Sequence, residues 1–418
     1  MAKDNTQPKQ SMEEKAMEIF AELMIEKLES IQADWKKPWF NPNGGGSQWP
    51  KNISGREYNG GNAIFLSLVA EKKNYSHSIW ATFDRINALN HTKDKQGKHN
   101  RMTGEDGKPL PHISVNKGEK STPVWITTFS VVNPETKERI KYDDYRQMSE
   151  EERSKYNVYP KLQVYYVFNL DQTNMKEVRP ELYDKIIAKA EEQKQNDFKF
   201  EEGGITEFPA FNRMIKDQLW ICPIKEVQGD DAYYSISKHE IVVPPRENFK
   251  NYESFVGNAF HEMNHSVHSE NYLNLIKPAS FNSKEYSVEE LRSELGAAML
   301  CNKFGLTKNI KSDSLPYIKS WLDNIHENPE FLKSIMMDVK RSASIIGQRI
   351  DKIQMDIDNG IESDKTVYDT DNKAMQTMYA QKSKGSGKPS DSEKQEVNQT
   401  EDQNELAAKE VVRHGRGR

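Results

Sequence analysis

Apolar positions recur at helical spacing over residues 12–32, where Met17, Ile19, Phe20, Leu23, Met24, Leu28 and Ile31 fall toward one face and predict an amphipathic helix. A second helix is predicted over 62–72. Between the two, Trp35, Pro38, Trp39, the run Gly44 to Gly46, Trp49 and Pro50 interrupt any regular element, so residues 35–58 read as an aromatic, glycine-rich loop. From 79 to 170 the pattern shifts toward short strands, clearest over 124–132 and 162–168, which are rich in β-branched and aromatic residues. Polar insertions at 91–111 and 134–159 read as exposed loops, and 185–195 is a charged helical stretch. Residues 203–245 contain strand-like segments at 233–236 and 240–243, closed by Pro244-Pro245. Helices are predicted around 255–265 and over 288–304, 315–324 and 329–357. Beyond about 361 the chain turns polar and low in complexity, which predicts disorder.

The pattern describes an α+β protein with a mixed α/β first domain and a mostly helical second domain behind a small sheet. The expected boundaries are a disordered start at 1–11, a first domain at 12–180, a helical linker at 181–202, a second domain at 203–360 and a disordered tail at 361–418. A length of 418 residues agrees with two or three domains at about 150 residues each.

Composition narrows the function classes. The formal net charge is −5, so the whole molecule is not a basic nucleic-acid binder, although local patches can be positive. Cys222 and Cys301 are the two cysteines, far apart and without C-x-x-C spacing, which excludes a disulfide framework and a zinc ribbon. The first 15 residues carry no apolar signal-like core, and no apolar run reaches the roughly 18 residues that span a bilayer. The expected setting is the cytoplasm, away from membranes.

The chemistry concentrates at His261-Glu262-Met263-Asn264-His265, an H-E-x-x-H motif following the apolar helical positions Phe255, Val256, Ala259 and Phe260. Residues four apart share one helix face, so both imidazoles can reach one Zn²⁺, while Glu262 is offset toward the open position as general base. Water acidified toward a pKa of about 7 can lose its proton to such a carboxylate. A third ligand is expected from the stretch 287–298, where Glu290 and Glu294 lie four apart. The pair resembles the E-x-x-x-D/E pattern of gluzincins, in which the first carboxylate binds metal and the second orients a ligand histidine. Ser287 and Glu290 also fit an S-x-x-E capping box, and under that reading Glu294 becomes the ligand. His268, three residues past His265, reads as a surface position.

Between Asp34 and Lys120 there are 14 Lys and Arg against 8 Asp and Glu, interleaved with Trp35, Trp39, Trp49, Tyr58, Trp80 and Phe83. Basic groups among aromatics suit single-stranded nucleic acid, with phosphates on cations and bases stacked on rings. The runs Trp35-Lys36-Lys37-Pro38-Trp39, Tyr58-Asn59-Gly60-Gly61-Asn62, Trp80-Ala81-Thr82-Phe83, Lys117-Gly118-Glu119-Lys120 and Val167-Phe168-Asn169-Leu170-Asp171-Gln172 resemble, in order, the N-terminal domain of ArdC-type antirestriction proteins. Related domains occur in TraC-like plasmid primases. Residues 233–244, the H-E-x-x-H helix and the Glu290 helix resemble the zincin-like metallopeptidase domain of the same family, so the likeness covers about 12–325.

That resemblance implies a protein of a plasmid, integrative element or phage, with a single-stranded-DNA-binding first domain and a metal-bearing second one. By position it makes Trp39, Tyr58, Asn62, Trp80, Lys117 and Lys120 the DNA-facing candidates. The long basic insertion between Phe83 and Ile113 and the glycine run at 44–46 depart from the family pattern and leave the DNA path open. Two functions follow: a DNA-associated zinc metallopeptidase acting on a host or DNA-bound protein, or a DNA-binding antirestriction protein whose zinc is structural. No separate carboxylate cluster supports primase chemistry.

Overall fold

The computed structural model describes residues 11–40, 49–93, 99–192, 199–201, 204–277, 279–280 and 283–385. The chain divides into two compact units interleaved in sequence. One takes the chain up to Phe20, Pro50–Glu57 and Tyr75–Ala190; the other takes Ala21–Trp49, Tyr58–Asn74 and the chain from Glu191 onward. The contact units therefore do not follow the expected sequential split at 181–202, because two pieces of the expected first domain pack with the second.

The opening helix α1 (Met12–Ala33) starts at a capping box: Glu14 N–H donates to Ser11 Oγ at 3.1 Å, and Ser11 N–H donates to Glu14 Oε2 at 2.7 Å. After β1 (Lys51–Asn52), α2 (Gly61–Lys73), which belongs to the second unit, ends at Asn74, whose left-handed backbone turns the chain (φ 51°). The first unit continues through β2 (Ile79–Ala81), α3 (Phe83–Ala88), β3 (His91–Lys93), β4 (His99–Arg101), β5 (Thr122–Val132), β6 (Arg139–Ile140), α4 (Tyr142–Gln147), α5 (Glu150–Arg153), β7 (Asn157–Asn169), α6 (Met175–Val178) and α7 (Pro180–Glu192). Its sheet runs β1-β2-β7-β5-β6, with β5 and β7 in antiparallel register from Thr122↔Val167 to Val132↔Asn157. Ile79, Ala81, Ile86, Ile113, Leu170, Met175, Tyr183 and Ala190 close its core. The stretches read as loops at 91–111 and 134–159 hold the β3–β4 hairpin, β6, α4 and α5. These elements are too short for a periodic signal to stand out.

The second unit adds β8 (Lys199–Glu201), β9 (Gly204–Glu207), α8 (Pro209–Lys216), β10 (Ile224–Glu226), β11 (Tyr233–Ser235), β12 (Glu240–Val243), α9 (Tyr252–His268), α10 (Lys284–Lys303), α11 (Ile318–Glu327), α12 (Glu330–Asp358) and α13 (Lys365–Gly385). Its small sheet is ordered β10-β12-β11, parallel on one side of β12 and antiparallel on the other. Helices α9 and α10 approach so closely that a Cβ on Gly296 would lie 2.2 Å from Asn264 Oδ1. No helix of the described residues is long and apolar enough to cross a membrane.

Helix α13 corrects the expectation of disorder from 361 onward. It docks largely through polar contacts: Tyr368 donates to Asp356 at 2.6 Å, Arg349 donates to Asn372 at 2.7 Å, and the Arg349 guanidinium lies 5.0 Å from the Tyr368 ring. An element held this way lacks the apolar stripe that periodicity detects. Residues 1–10, the glycine run 44–46, residues 193–198 and the tail from 386 lie outside the described residues.

Candidate metal centre

Helix α9 is placed by Asn251, whose side chain accepts from Ser254 N–H at 2.9 Å, and by the fully buried Phe255, Val256, Ala259, Phe260 and Met263. That burial turns His261 (0% exposed) and Glu262 (2%) into the unit's interior. Helix α10 starts at Ser283, whose hydroxyl accepts from Tyr286 N–H at 3.2 Å. Ser287 lies inside the helix and donates to Ser320 at 3.0 Å, so the Ser287–Glu290 capping box is not formed. Glu290 is thereby left to face α9.

His261, His265 and Glu290 bring one ligand atom each to within 4.8 Å of one another. The two Nε2 atoms lie 3.1 Å apart, and Glu290 oxygens stand 3.3 Å from His261 Nε2 and 3.6 Å from His265 Nε2. Behind the imidazoles, His261 Nδ1 meets Glu294 Oε2 at 3.0 Å and His265 Nδ1 meets Glu289 Oε1 at 2.9 Å. An ionised carboxylate only accepts, so the proton of each neutral imidazole sits on Nδ1 and both Nε2 lone pairs aim at one point. Lone pairs and carboxylate oxygens so arranged require a cation among them. A proton supplies it in part: burial alone would depress His261, but its hydrogen bonds to the accepting Glu290 and Glu294 carboxylates and the Glu262 charge outweigh it and lift its pKa to about 9. A divalent ion fits the same two nitrogens and one oxygen, and the cluster is a metal-binding His/Glu site.

The surrounding charges are matched. Burial pushes Glu290 upward, but the His261 hydrogen bond and the charges of His265, His261 and Lys311 outweigh it and hold its carboxyl down to about 2. Glu294 and Glu289 are likewise driven upward by burial, then held well below the usual carboxylate range by Lys308 and His261 and by His268 and His265 respectively. Glu262 Oε1 accepts from Lys311 Nζ at 2.8 Å, and the same ammonium donates to Ala232 O at 2.9 Å. Burial and the charges of Glu290 and Glu262 push the Tyr286 phenol far above its ordinary value, so it stays a donor beside Glu290.

His268 is not a surface residue. It is fully buried, with Nδ1 2.7 Å from Glu289 Oε1, because Glu289 collects both His265 and His268 from consecutive turns of α9. Sequence reasoning also missed Glu289, Tyr286, Lys308, Lys311 and Ser293, whose hydroxyl lies 3.0 Å from His265 Nδ1. An i+3 imidazole beside an H-E-x-x-H pair and a third glutamate adjoining Glu290 were the available signals for His268 and Glu289. The two lysines come from the loop after α10 and carried none.

Among the DNA-facing candidates, Trp39 is 1% exposed and Trp80 0%. Neither ring offers a face to a base, which corrects that placement for both. The Trp39 indole N–H donates to Glu294 Oε1 at 2.9 Å, and that of Trp80 donates to Ser78 Oγ at 3.1 Å. Lys117 and Lys120 are exposed, while Tyr58 and Asn62 are half-buried.

Residues 14–168 match the family model for the N-terminal domain of anti-restriction factor ArdC, and residues 221–335 match that for a zincin-like metallopeptidase. The fold resembles the crystal structure of the antirestriction protein ArdC from plasmid R388 in its metal-free form, with a TM-score of 0.53 and 21% identity over 80% of this chain and 98% of that one. It also resembles the Mn(II)-bound form of that protein, with a TM-score of 0.51 and 19% identity over 79% of this chain and 97% of that one. A DNA primase TraC of Escherichia coli is 26% identical over 340 residues, 78% of this chain. The chain spans 19% of that primase's length and 25% of a second TraC's. The chain therefore combines an ArdC-type N-terminal domain with a zincin-like metallopeptidase domain.

Proposed function

We propose that the chain is a zinc-dependent metallopeptidase associated with single-stranded DNA, serving antirestriction for a mobile genetic element and cutting a host or DNA-bound protein. The observation that carries the reading is the convergence of His261, His265 and Glu290 on one point, each imidazole backed by its own carboxylate. These three residues would hold the ion, two imidazoles and one carboxylate being a donor set of zinc sites that keep a position for water or substrate. When bound, zinc supplies polarisation of a carbonyl and a lowered pKa for water. Glu262 takes the proton of the attacking water and returns it to the leaving amine. Lys311 fixes the Glu262 carboxylate for that exchange. Strand β11 lies at an edge of its sheet with Tyr233 exposed, and an extended peptide can add there as a further strand. For the nucleic acid, the exposed Lys117 and Lys120 of one unit are the phosphate-facing candidates, and Tyr58 and Asn62 of the other are separate candidates by the family pattern.

Glu262→Gln tests the base. The variant should bind zinc like the parent while peptide cleavage falls by roughly 10²–10⁴-fold, read as new peptide termini in host extract exposed to each protein. Undiminished cleavage would remove Glu262 from the mechanism. The second reading, a DNA-binding antirestriction protein with a structural metal, draws on one observation: the Glu262 carboxylate is already engaged by Lys311. Under it, Glu262→Gln protects incoming DNA from restriction as well as the parent does.

A further inference from the structure

We propose that Trp39 is a positioning residue of the metal centre, acting through Glu294 on His261. The inference rests on His261 being a metal ligand.

Glu294 is fully buried and divides its two oxygens. Oε2 meets His261 Nδ1 at 3.0 Å; Oε1 accepts from Trp39 Nε1 and from Lys308 Nζ, each at 2.9 Å. The two donors differ in what they fix. An ammonium on a four-carbon stem supplies charge but little direction, whereas an indole N–H points one way from a rigid ring, here 1% exposed. Trp39 thus sets the plane of the carboxylate, and the carboxylate sets the orientation of the imidazole. Both donors are delivered together: Trp39 N–H donates to Lys308 O at 2.8 Å, and Pro38 bridges Asn309 in antiparallel fashion. A buried indole needs only some acceptor, and a backbone carbonyl would serve. Spending it on the one carboxylate that backs a ligand histidine, 255 positions away in sequence, ties the segment after α1 to the metal.

The full chain provides the test, with Zn²⁺ alone as probe and affinity read by chelator competition. Trp39→Phe keeps the ring and loses the donor; it should weaken zinc binding roughly tenfold, as changes behind metal-binding histidines do, and shift the visible spectrum of the Co²⁺-loaded protein. In a Glu294→Ala background the same change should cost less than about twofold. Equal losses in both backgrounds, or none in either, would overturn the proposal. In the unmodified chain, the ¹⁵N-labelled Trp39 indole resonance should move on zinc addition, a readout that needs no variant to fold. An indole signal unmoved at saturating zinc would also overturn it. A parent that binds no zinc would instead sink the ligand assignment, and this inference with it.

Discussion

Glu262 is 2% exposed, a placement that a carboxylate tolerates only with a cation or donor at hand, and Lys311 provides both at 2.8 Å. Removing one member of such a pair leaves the other charge buried without compensation. Lys311→Met should therefore cost on the order of 3 kcal/mol in chemical denaturation of the metal-free protein. Adding Glu262→Gln should recover a good part of that loss, since a neutral amide needs no counter-charge. A double variant as unstable as Lys311→Met would show that Lys311 matters through its Ala232 contact instead. The residues that face the metal were legible because helix geometry puts His261 and His265 on one face from their spacing alone. Those that hold the facing residues were not. Trp39, Lys308 and Lys311 reach the site from loops, and local sequence records nothing about which distant carboxylate a loop side chain will meet. The resemblance misled in the same place: Trp39 matched a motif of the ArdC-type N-terminal domain but donates its indole N–H to Glu294.

The site is a product of how two helices cross. Helix α9 carries His261, Glu262, His265 and His268, while α10 carries Glu289, Glu290, Ser293 and Glu294, so the 2.7–3.6 Å contacts between them depend on the interhelical distance. Gly296 sets that distance. Any Cβ there meets Asn264 Oδ1, which also accepts from Ser342 Oγ at 2.7 Å and is not free to swing away. Gly296→Ala should destabilise by about 1–3 kcal/mol through overpacking, seen as a lower urea midpoint at unchanged slope, and should weaken zinc binding. Wild-type stability in that variant would mean the helices separate at no cost. At this scale much was readable. The apolar spacing located α1, α2, α9, α10 and α12 to within a few residues. What spacing could not decide was which of two serines caps α10, since Ser283 and Ser287 both precede helix-compatible runs, and the choice determines what Glu290 is free to do. Nor could it find α13, whose docking relies on Tyr368, Asn372 and their polar partners.

The interleaving of the two units has a consequence for ligand response. Residues 21–49 and 58–74 precede most of the β-sheet unit in sequence yet pack with the metal-bearing helices, Asn302 Nδ2 donating to Ser67 Oγ at 3.1 Å and Gly60 lying directly against Lys340. The expected division kept them with the rest of residues 12–180, because a linear reading places a boundary where composition changes and cannot see a segment return to a later core. The candidate DNA residues divide accordingly, with Tyr58 and Asn62 in the metal unit and Lys117 and Lys120 in the sheet unit. A ligand that binds the native state raises the free energy of opening the unit it binds, by an amount set by its concentration over its dissociation constant. Zinc should therefore slow amide hydrogen exchange in residues 35–40 and 61–73 together with α9 and α10, while leaving the β5–β7 ribbon unchanged. A single-stranded oligonucleotide should protect amides around Lys117–Lys120, and that protection should fade as salt rises, because each phosphate contact releases counterions. If zinc instead protected α9 and α10 alone, the segments before residue 75 would not share the metal unit's cooperative opening, and its stability would have to be assigned to the C-terminal half by itself.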